Sequence, residues 1–304
     1  MNAPIPSMQR NPGPSWGYGF LVWAERWWPH WFFAFMLRVG TWVGFTFMPA
    51  QRRHSRAYLA VVLGRTPRLF EVWRHFLAFA ESLMVMLRVG RGAKVKCRLV
   101  GGNAAAFETL VRSEQPALFG TFHFGNSDLL GYLLGERGRR VSILRLRVGN
   151  SDDTRLLGQR FGEQVSFLWV NDPANLLFEL KTALEAGASL ALKCDRLEFS
   201  AKAEPFFFLG TRRLFPFTIY HLAVLFNRPV VFCLAVSGAA PDELRVISSP
   251  VFTPDPTVAR AENLATARAH FQGVLEQLEQ LVRAQPLLWF NFLPLNPEAP
   301  EAVL

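Results

Sequence analysis

From Lys94 to Pro286, short β-rich runs alternate with amphipathic stretches, and that alternation restricts the fold more than any other feature of the chain. KVKCRLVG (94–101), PALFGTFH (116–123), RVSILRL (140–146), VSFLWV (165–170), ASLALKCD (188–195), PVVFCLAVS (229–237) and ELRVISSPV (243–251) read as strands. Each is short, rich in β-branched and large apolar residues, and bounded by glycine, proline or polar clusters. Between them, 104–113, 127–135, a segment around 152–161, 174–187, 217–227 and 257–286 read as helices, and Gly187 ends the fourth. Several of the strands are apolar almost throughout, a pattern that suits strands covered on both faces. The expected fold is α/β: a mixed, largely parallel central sheet flanked by helices.

The first ninety residues follow a different pattern. WGYGFLVWAERWWPHWFFAFMLRVGTWVGFTFM (16–48) is crowded with aromatics, and from Trp31 to Met48 only Arg38 is charged. That stretch is at the short limit for a bilayer span. An arginine at its centre is costly in lipid, whereas paired tryptophans with Glu25, Arg26 and His30 suit an interface. The expectation is a helix lying in or on a membrane; a buried core helix is the alternative. Two more helices are expected over 51–63 and 67–89, split by Gly64 and Pro67. Arg52, Arg53, Arg56, Arg65, Arg68 and Arg74 make this region basic, which fits anionic headgroups or a solvated face. The expected division is therefore a Pro-rich disordered tail (1–15), an N-terminal membrane-associated helical segment (16–92), an α/β domain (93–296) and a short tail (297–304).

Charge narrows the partners. The net charge is +9, and only five of the 33 basic residues are lysines (Lys94, Lys96, Lys181, Lys193 and Lys202). Arginine's planar fork suits phosphate and carboxylate, so an anionic partner is expected. An anionic membrane surface, a phosphorylated lipid or an acidic carrier protein fits. Nucleic acid fits poorly, because the basic residues are not clustered with aromatics in any recognised motif. Cys97, Cys194 and Cys233 show no C-x-x-C and no metal-like spacing, and read as buried small residues in a reducing compartment. The Pro-rich, polar start of the chain is not expected to be a secretory signal.

The stretch that breaks the apolar pattern is TFHFGNSDLLG (121–131). It follows a buried strand, and in open α/β sheets ligands gather at the carboxyl ends of strands. His123 falls there, Gly125 permits a sharp turn, and Asn126 or Ser127 can cap the helix beyond it. On one continuous helix His123 and Asp128 would point about 140° apart. They meet only if His123 precedes the helix and Asp128 sits in its first turn. A carboxylate on one imidazole nitrogen fixes the tautomer and leaves the other as a base. A strand-end histidine and a helix-start aspartate that merely satisfy backbone groups have the same spacing, so spacing alone leaves both readings open.

H-x-x-x-x-D after a buried strand resembles the signature of glycerolipid and lysophospholipid acyltransferases. HFGNSD in particular is similar to the HFGNWE of bacterial lipid A biosynthesis acyltransferases, which add secondary lauroyl or myristoyl chains. The Trp-rich first helix, the basic helices behind it, the strand ending in CDR (194–196), PFFFLGTRRLFPFT (205–218) and the P-x-x-W of PLLWFNFLP (286–294) agree with that family in order. The resemblance implies that His123 is a general base on a lipid hydroxyl and that Asp128 orients it. It implies an acyl-acyl carrier protein (or acyl-CoA) as donor, a phosphorylated or glycolipid acceptor, no cofactor and no metal. It also implies a place on the cytoplasmic face of a bacterial inner membrane. Backbone N–H groups near Gly125 or Gly210, or an arginine, would stabilise the oxyanion. Arg160, Asp195, Arg196, Asn126 and Arg212 are the implied substrate contacts, with Arg213 a further candidate. An apolar tunnel for the acyl chain is expected along 129–134 and 206–208.

The chain also departs from the family pattern. Ser127-Asp128 stands where the family has Trp-Glu, Arg196 where it commonly has glutamine, and RVGNSDD where it has an N-P element. A different acceptor (an aminolipid, another glycolipid, an aryl polyene) and a non-catalytic module that binds anionic membranes are the alternatives. His30, His54, His75, His221 and His270 read as structural, and Asp152-Asp153 as a helix start.

Overall fold

The computed structural model describes residues 15–146, 161–170, 175–197, 202–240 and 242–299. Four helices come first: α1 (Ser15–Trp27), α2 (His30–Phe47), α3 (Pro49–Leu63) and α4 (Leu69–Gly90). Pro29 separates the first two and Pro49 opens the third, where the missing proline N–H costs no helical bond. Glu71 reaches back to the backbone N–H of Arg68 and closes a capping box on α4. Met84 and Leu87 of α4 pack with Ala24 and Phe33 of α1 and α2, Trp42 stacks on Trp73 at 5.0 Å, and Arg88 pairs with Glu25.

These helices leave much of their apolar surface uncovered. Trp16, Trp27, Trp31 and Phe47 are each at least 66% exposed, and Leu69 and Phe70 at the start of α4 are exposed too. Scattered exposed apolar residues are ordinary, but a run of large aromatics along two consecutive helices is not. Among the described residues no single helix is long and apolar enough to cross a bilayer; α2 and α3 meet that measure only together, and they are bent at 98°.

Among the described residues the second part carries nine strands. They are β1 (Lys96–Val100), β2 (Leu118–Thr121), β3 (Val141–Arg145), β4 (Val165–Trp169), β5 (Ser189–Lys193), β6 (Ala203–Phe208), β7 (Thr211–Pro216), β8 (Val230–Ser237) and β9 (Glu243–Ser248). Seven form one sheet in the order β1-β9-β8-β2-β5-β3-β4. Every neighbouring pair in it is parallel except β8 with β9. The helices among the described residues of this part are α5 (Ala104–Arg112), α6 (Leu130–Glu136), α7 (Leu176–Glu185), α8 (Thr218–Phe226) and α9 (Arg260–Ala284). The expected fold class is the observed one. The helix expected around 152–161 lies almost wholly outside the described residues.

Side chains alternate across the central strands. Val230, Phe232, Leu234 and Val236 of β8 join a core with α3, α4, α8 and α9, whereas Val231, Cys233 and Ala235 join a second core with α5 and α6. Leu190 and Leu192 of β5 face the first core and Ala191 the second. That is why these strands read as unbroken apolar runs: both faces are buried.

Two elements differ from the sequence expectation. PFFFLGTRRLFPFT contains an antiparallel hairpin, β6–β7, outside the main sheet. Leu209 and Gly210 turn it with φ of 52° and 83°, the left-handed pair that a two-residue hairpin loop needs. The expected tail also begins too early. Leu214 N–H donates to Pro297 O, Ala299 N–H to Arg212 O, and Arg213 pairs with Glu298 at 3.1 Å, so 297–299 run along β7.

Candidate active site

β2 and β5 are parallel neighbours in a register that sets Thr121 opposite Lys193. Carried two residues beyond both strand ends, that register sets His123 opposite Asp195. Their side chains meet there: Asp195 Oδ1 lies 2.7 Å from His123 Nδ1. The imidazole is mostly covered and the carboxylate almost wholly buried, at 14% and 1% side-chain exposure. An ionised carboxylate only accepts, so Nδ1 carries the proton and Nε2 the lone pair. Asp195 Oδ2 accepts two further hydrogen bonds, from the backbone N–H of His123 at 2.8 Å and from the indole N–H of Trp289 at 2.9 Å.

This corrects the expectation for both aspartates. Asp195, expected to contact substrate, is the residue that holds the imidazole. Asp128, expected to hold it, lies 2.7 Å from Lys193 Nζ instead. The physical reason is the turn after β2. A 3₁₀ turn over Ser127–Leu129 precedes α6 and directs Asp128 toward the end of β5. Asp128 still lines the same cavity as His123 and is half exposed.

The turn itself is closely tied to its neighbours. Gly125 has φ of 54°, and a Cβ there would come within 2.4 Å of Ala235 O, so only glycine fits. Gly125 N–H donates to Leu288 O and Asn126 N–H to Ala235 O, both at 2.7 Å. These amides are committed to the fold, so the expected oxyanion donors near Gly125 are not available. Asn126 ties Ser82 of α4 to Ser237 of β8. Ser127 donates to Phe124 O and accepts from Ala235 N–H, which makes it an anchor and not a nucleophile. Gly210 and Arg212 belong to the β6–β7 hairpin and do not line the cavity; Arg212 is exposed over the Phe207 ring. Arg213 is buried and held by Asn296 O and Glu298, a structural role. Arg160 lies outside the described residues.

His123 opens onto a cavity of about 320 Å³, within the range of small-molecule sites. Phe79, Leu83 and Met86 of α4 form one wall, and Tyr132, Ile143 and Leu144 another. Leu129 lines it as expected of the 129–134 stretch, but Phe206 and Phe208 are buried in the core behind β6 and Phe207 faces outward. The charged lining groups besides His123 are Asp128, Lys193, Arg196 and Arg145, and Asn126, Ser82, Thr121, Tyr18 and Tyr132 add neutral polar ones. Lys193 and Arg145 are the charged cavity residues that sequence reasoning misses. Lys193 ends a buried strand, and a lysine in such a run is the signal that would have found it.

Burial holds the His123 imidazole below its ordinary range, and Arg196 and Lys193 push the same way; Asp195 opposes them. Burial also disfavours the ionised Asp195, but His123, Arg196 and Lys193 outweigh it and keep that carboxyl well below the usual range. The same balance, with Lys193 the main counter-charge, keeps Asp128 ionised. The site therefore presents a neutral imidazole held by one carboxylate, with a second, lysine-paired carboxylate on the same cavity. Among the described residues no group of three or more His, Cys, Asp or Glu is placed to hold a metal ion.

No family model matches the chain, and no curated protein does. Among solved structures the fold is similar to the 1-acyl-sn-glycerophosphate (LPA) acyltransferase PlsC from Thermotoga maritima, with a TM-score of 0.41 and 12% identity. The likeness covers 83% of this chain and 98% of that one. A likeness that distant says nothing of the reaction, which is argued from the site alone.

Proposed function

We propose that this protein is a membrane-associated O-acyltransferase that moves a fatty acyl chain from a thioester donor to a hydroxyl of a lipid acceptor. One observation carries the reading: a neutral imidazole, held through Nδ1 by a buried carboxylate, on the wall of a cavity also lined by Phe79, Leu83, Met86 and Ile143. Nε2 takes the proton from the acceptor hydroxyl as its oxygen attacks the thioester carbonyl. The tetrahedral oxyanion forms beside Arg196, which lines the cavity with Arg145 and directly follows the carboxylate that holds His123. Collapse expels the thiolate, which regains the proton from the imidazolium. Ser127, four residues after His123, is tied into the fold by two hydrogen bonds and offers no nucleophile, and the reading is direct transfer without a covalent acyl-enzyme.

The finer reading is a diverged relative of the lipid A acyltransferases, with acyl-acyl carrier protein as donor, a phosphorylated or glycolipid acceptor, and a place on the cytoplasmic face of a bacterial inner membrane. The HFGNSD motif, the exposed aromatics of α1 and α2 and the arginine excess support it. Acylation of another acceptor is the second reading, favoured by Ser127-Asp128 standing for Trp-Glu. Purified protein supplied with acyl-acyl carrier protein and an inner-membrane lipid extract should yield a lipid heavier by one acyl group. His123→Ala should abolish that product by at least about a hundredfold while membrane binding persists. Transfer at the unmutated rate by His123→Ala would refute the mechanism. Salt-sensitive vesicle binding without transfer from any donor would leave a membrane-binding module.

A further inference from the structure

We infer that Trp289 is a positioning residue of this site: its indole N–H fixes the carboxylate that orients His123, and His75 and Ser55 brace it from the N-terminal helices. The inference rests on the acyl-transfer reading for its effect on rate, though not for its geometry.

Trp289 belongs to the P-x-x-W stretch after α9, ninety-four residues from Asp195, and it is buried. Its indole lies edge-on to Tyr58 and Phe208, at 5.2 and 5.4 Å. The one polar atom of its side chain is aimed at Asp195 Oδ2 at 2.9 Å. Asp195 therefore accepts from the ring and the backbone of His123, and from an indole anchored on a different element. The first two donors move with His123. The indole is the donor that sets the carboxylate against an independent reference.

That reference is held in turn. His75 Nε2 lies 3.0 Å from Trp289 O, and a carbonyl only accepts, so Nε2–H is the donor. His75 Nδ1 then accepts from Ser55 Oγ at 2.7 Å. Tyr58 donates to Pro286 O at 2.6 Å. Ser55, Tyr58 and His75 are all fully buried, on α3 and α4. Below the indole, Phe290 N–H donates to His123 O at 2.7 Å, and Arg196 donates to Phe290 O at 3.1 Å. A continuous chain thus runs Ser55–His75–Trp289–Asp195–His123. It makes α3 and α4 part of the machinery that aims the imidazole.

A packing role and a positioning role differ in what they do to titration. Among the described residues, the charged and titratable groups around the pair are Asp195, Arg196, Cys194 and Lys193 at the end of β5, Asp128 in the turn, Arg145 of β3 and His75 of α4. A donor on Asp195 draws charge away from the carboxylate–imidazole pair. Removing it makes Asp195 a stronger acceptor for Nδ1–H and makes His123 more basic. The acid limb of kcat/KM then moves to higher pH.

The test is Trp289→Phe, with benzothienylalanine at 289 as a second variant that replaces the indole N–H by sulfur and keeps the ring outline. The full-length protein in detergent micelles is read in two ways. Kinetics should show kcat lowered about tenfold to a hundredfold with KM kept, the scale of a lost hydrogen bond to a charged group. The acid limb should move up. Nitrogen-15 histidine spectra, with His123→Gln for assignment, should show the His123 ring titrating at higher pH. An acid limb and a His123 titration unchanged in the benzothienylalanine protein would overturn the inference, whatever activity is lost. If the unaltered protein transfers no acyl group, the acyl-transfer reading fails, and the ring titration alone then decides the role of Trp289.

Discussion

The carboxylate on the imidazole is the least legible residue in the sequence. His123, Gly125 and Asp128 stand within six positions, so their association is visible. Asp195 is seventy-two residues away, and it reaches His123 only because β5 is the parallel neighbour of β2 in a register that matches 121 with 193. Strand order is a non-local property, and no periodicity along the chain records it. The strand-end position of Asp195 is visible; its neighbour is not. The pair sets a pH profile. Burial, Arg196 and Lys193 hold His123 below the ordinary imidazole value of about 6.5. A base that works neutral is already neutral well below that value, so kcat/KM should stay flat from pH 8 down to pH 6. A loss of activity centred near pH 6.5 would show an ordinary, unburied imidazole.

Among the elements, the long periodic ones are the most readable. The strands of the main sheet and the helices α3 to α5 and α7 to α9 stand close to where apolar periodicity and turn residues put them. The β6–β7 hairpin is hidden because its strands are interrupted by Pro205, Arg212 and Arg213, which mask alternation. The acyl tunnel is half placed by the sequence: Leu129 lines the cavity, but the Phe206–Phe208 side is core. The wall the sequence does not suggest is α4. Its Leu83 and Met86 are apolar residues lining the cavity, so they are the residues through which acyl length is expected to be set. Leu83→Trp and Met86→Trp should each shift the preferred donor to a shorter chain, read by product mass spectrometry across donors of graded length. An unchanged length profile in both variants would place the acyl chain elsewhere.

Across the whole molecule, two parts expected to be separate segments share one hydrogen-bonded interior. Ser55, Tyr58, His75 and Ser82 of the N-terminal helices are tied directly, or in the case of Ser55 through His75, to the α/β part. The expected boundary at 92/93 is thus a change of sequence pattern and not a break in packing. His75 gives this a measurable consequence. Burial lowers its imidazole to about 4, against the pull of Trp289 O. Folded, it stays neutral; unfolded, it takes a proton below about pH 6.5. The unfolded state then binds more protons, so stability falls as pH drops from 6.5 to 4 and levels off below that as the folded form protonates. This histidine alone accounts for a loss of about 3 kcal/mol across that window. Denaturant unfolding should show a steep decline from pH 6.5 to 4 in the unaltered protein and a shallower one in His75→Gln. Parallel declines would refute the assignment.

All of this arrangement, from the strand register to the buried indole, converges on one contact between two side chains. Single-turnover acyl transfer by Asp195→Asn, compared with Asp128→Asn and His123→Ala, tests it most directly. Asp195→Asn should fall about a hundredfold or more, close to His123→Ala, and Asp128→Asn should retain clearly more activity. Transfer at the unaltered rate by Asp195→Asn, with activity abolished in Asp128→Asn, would contradict it.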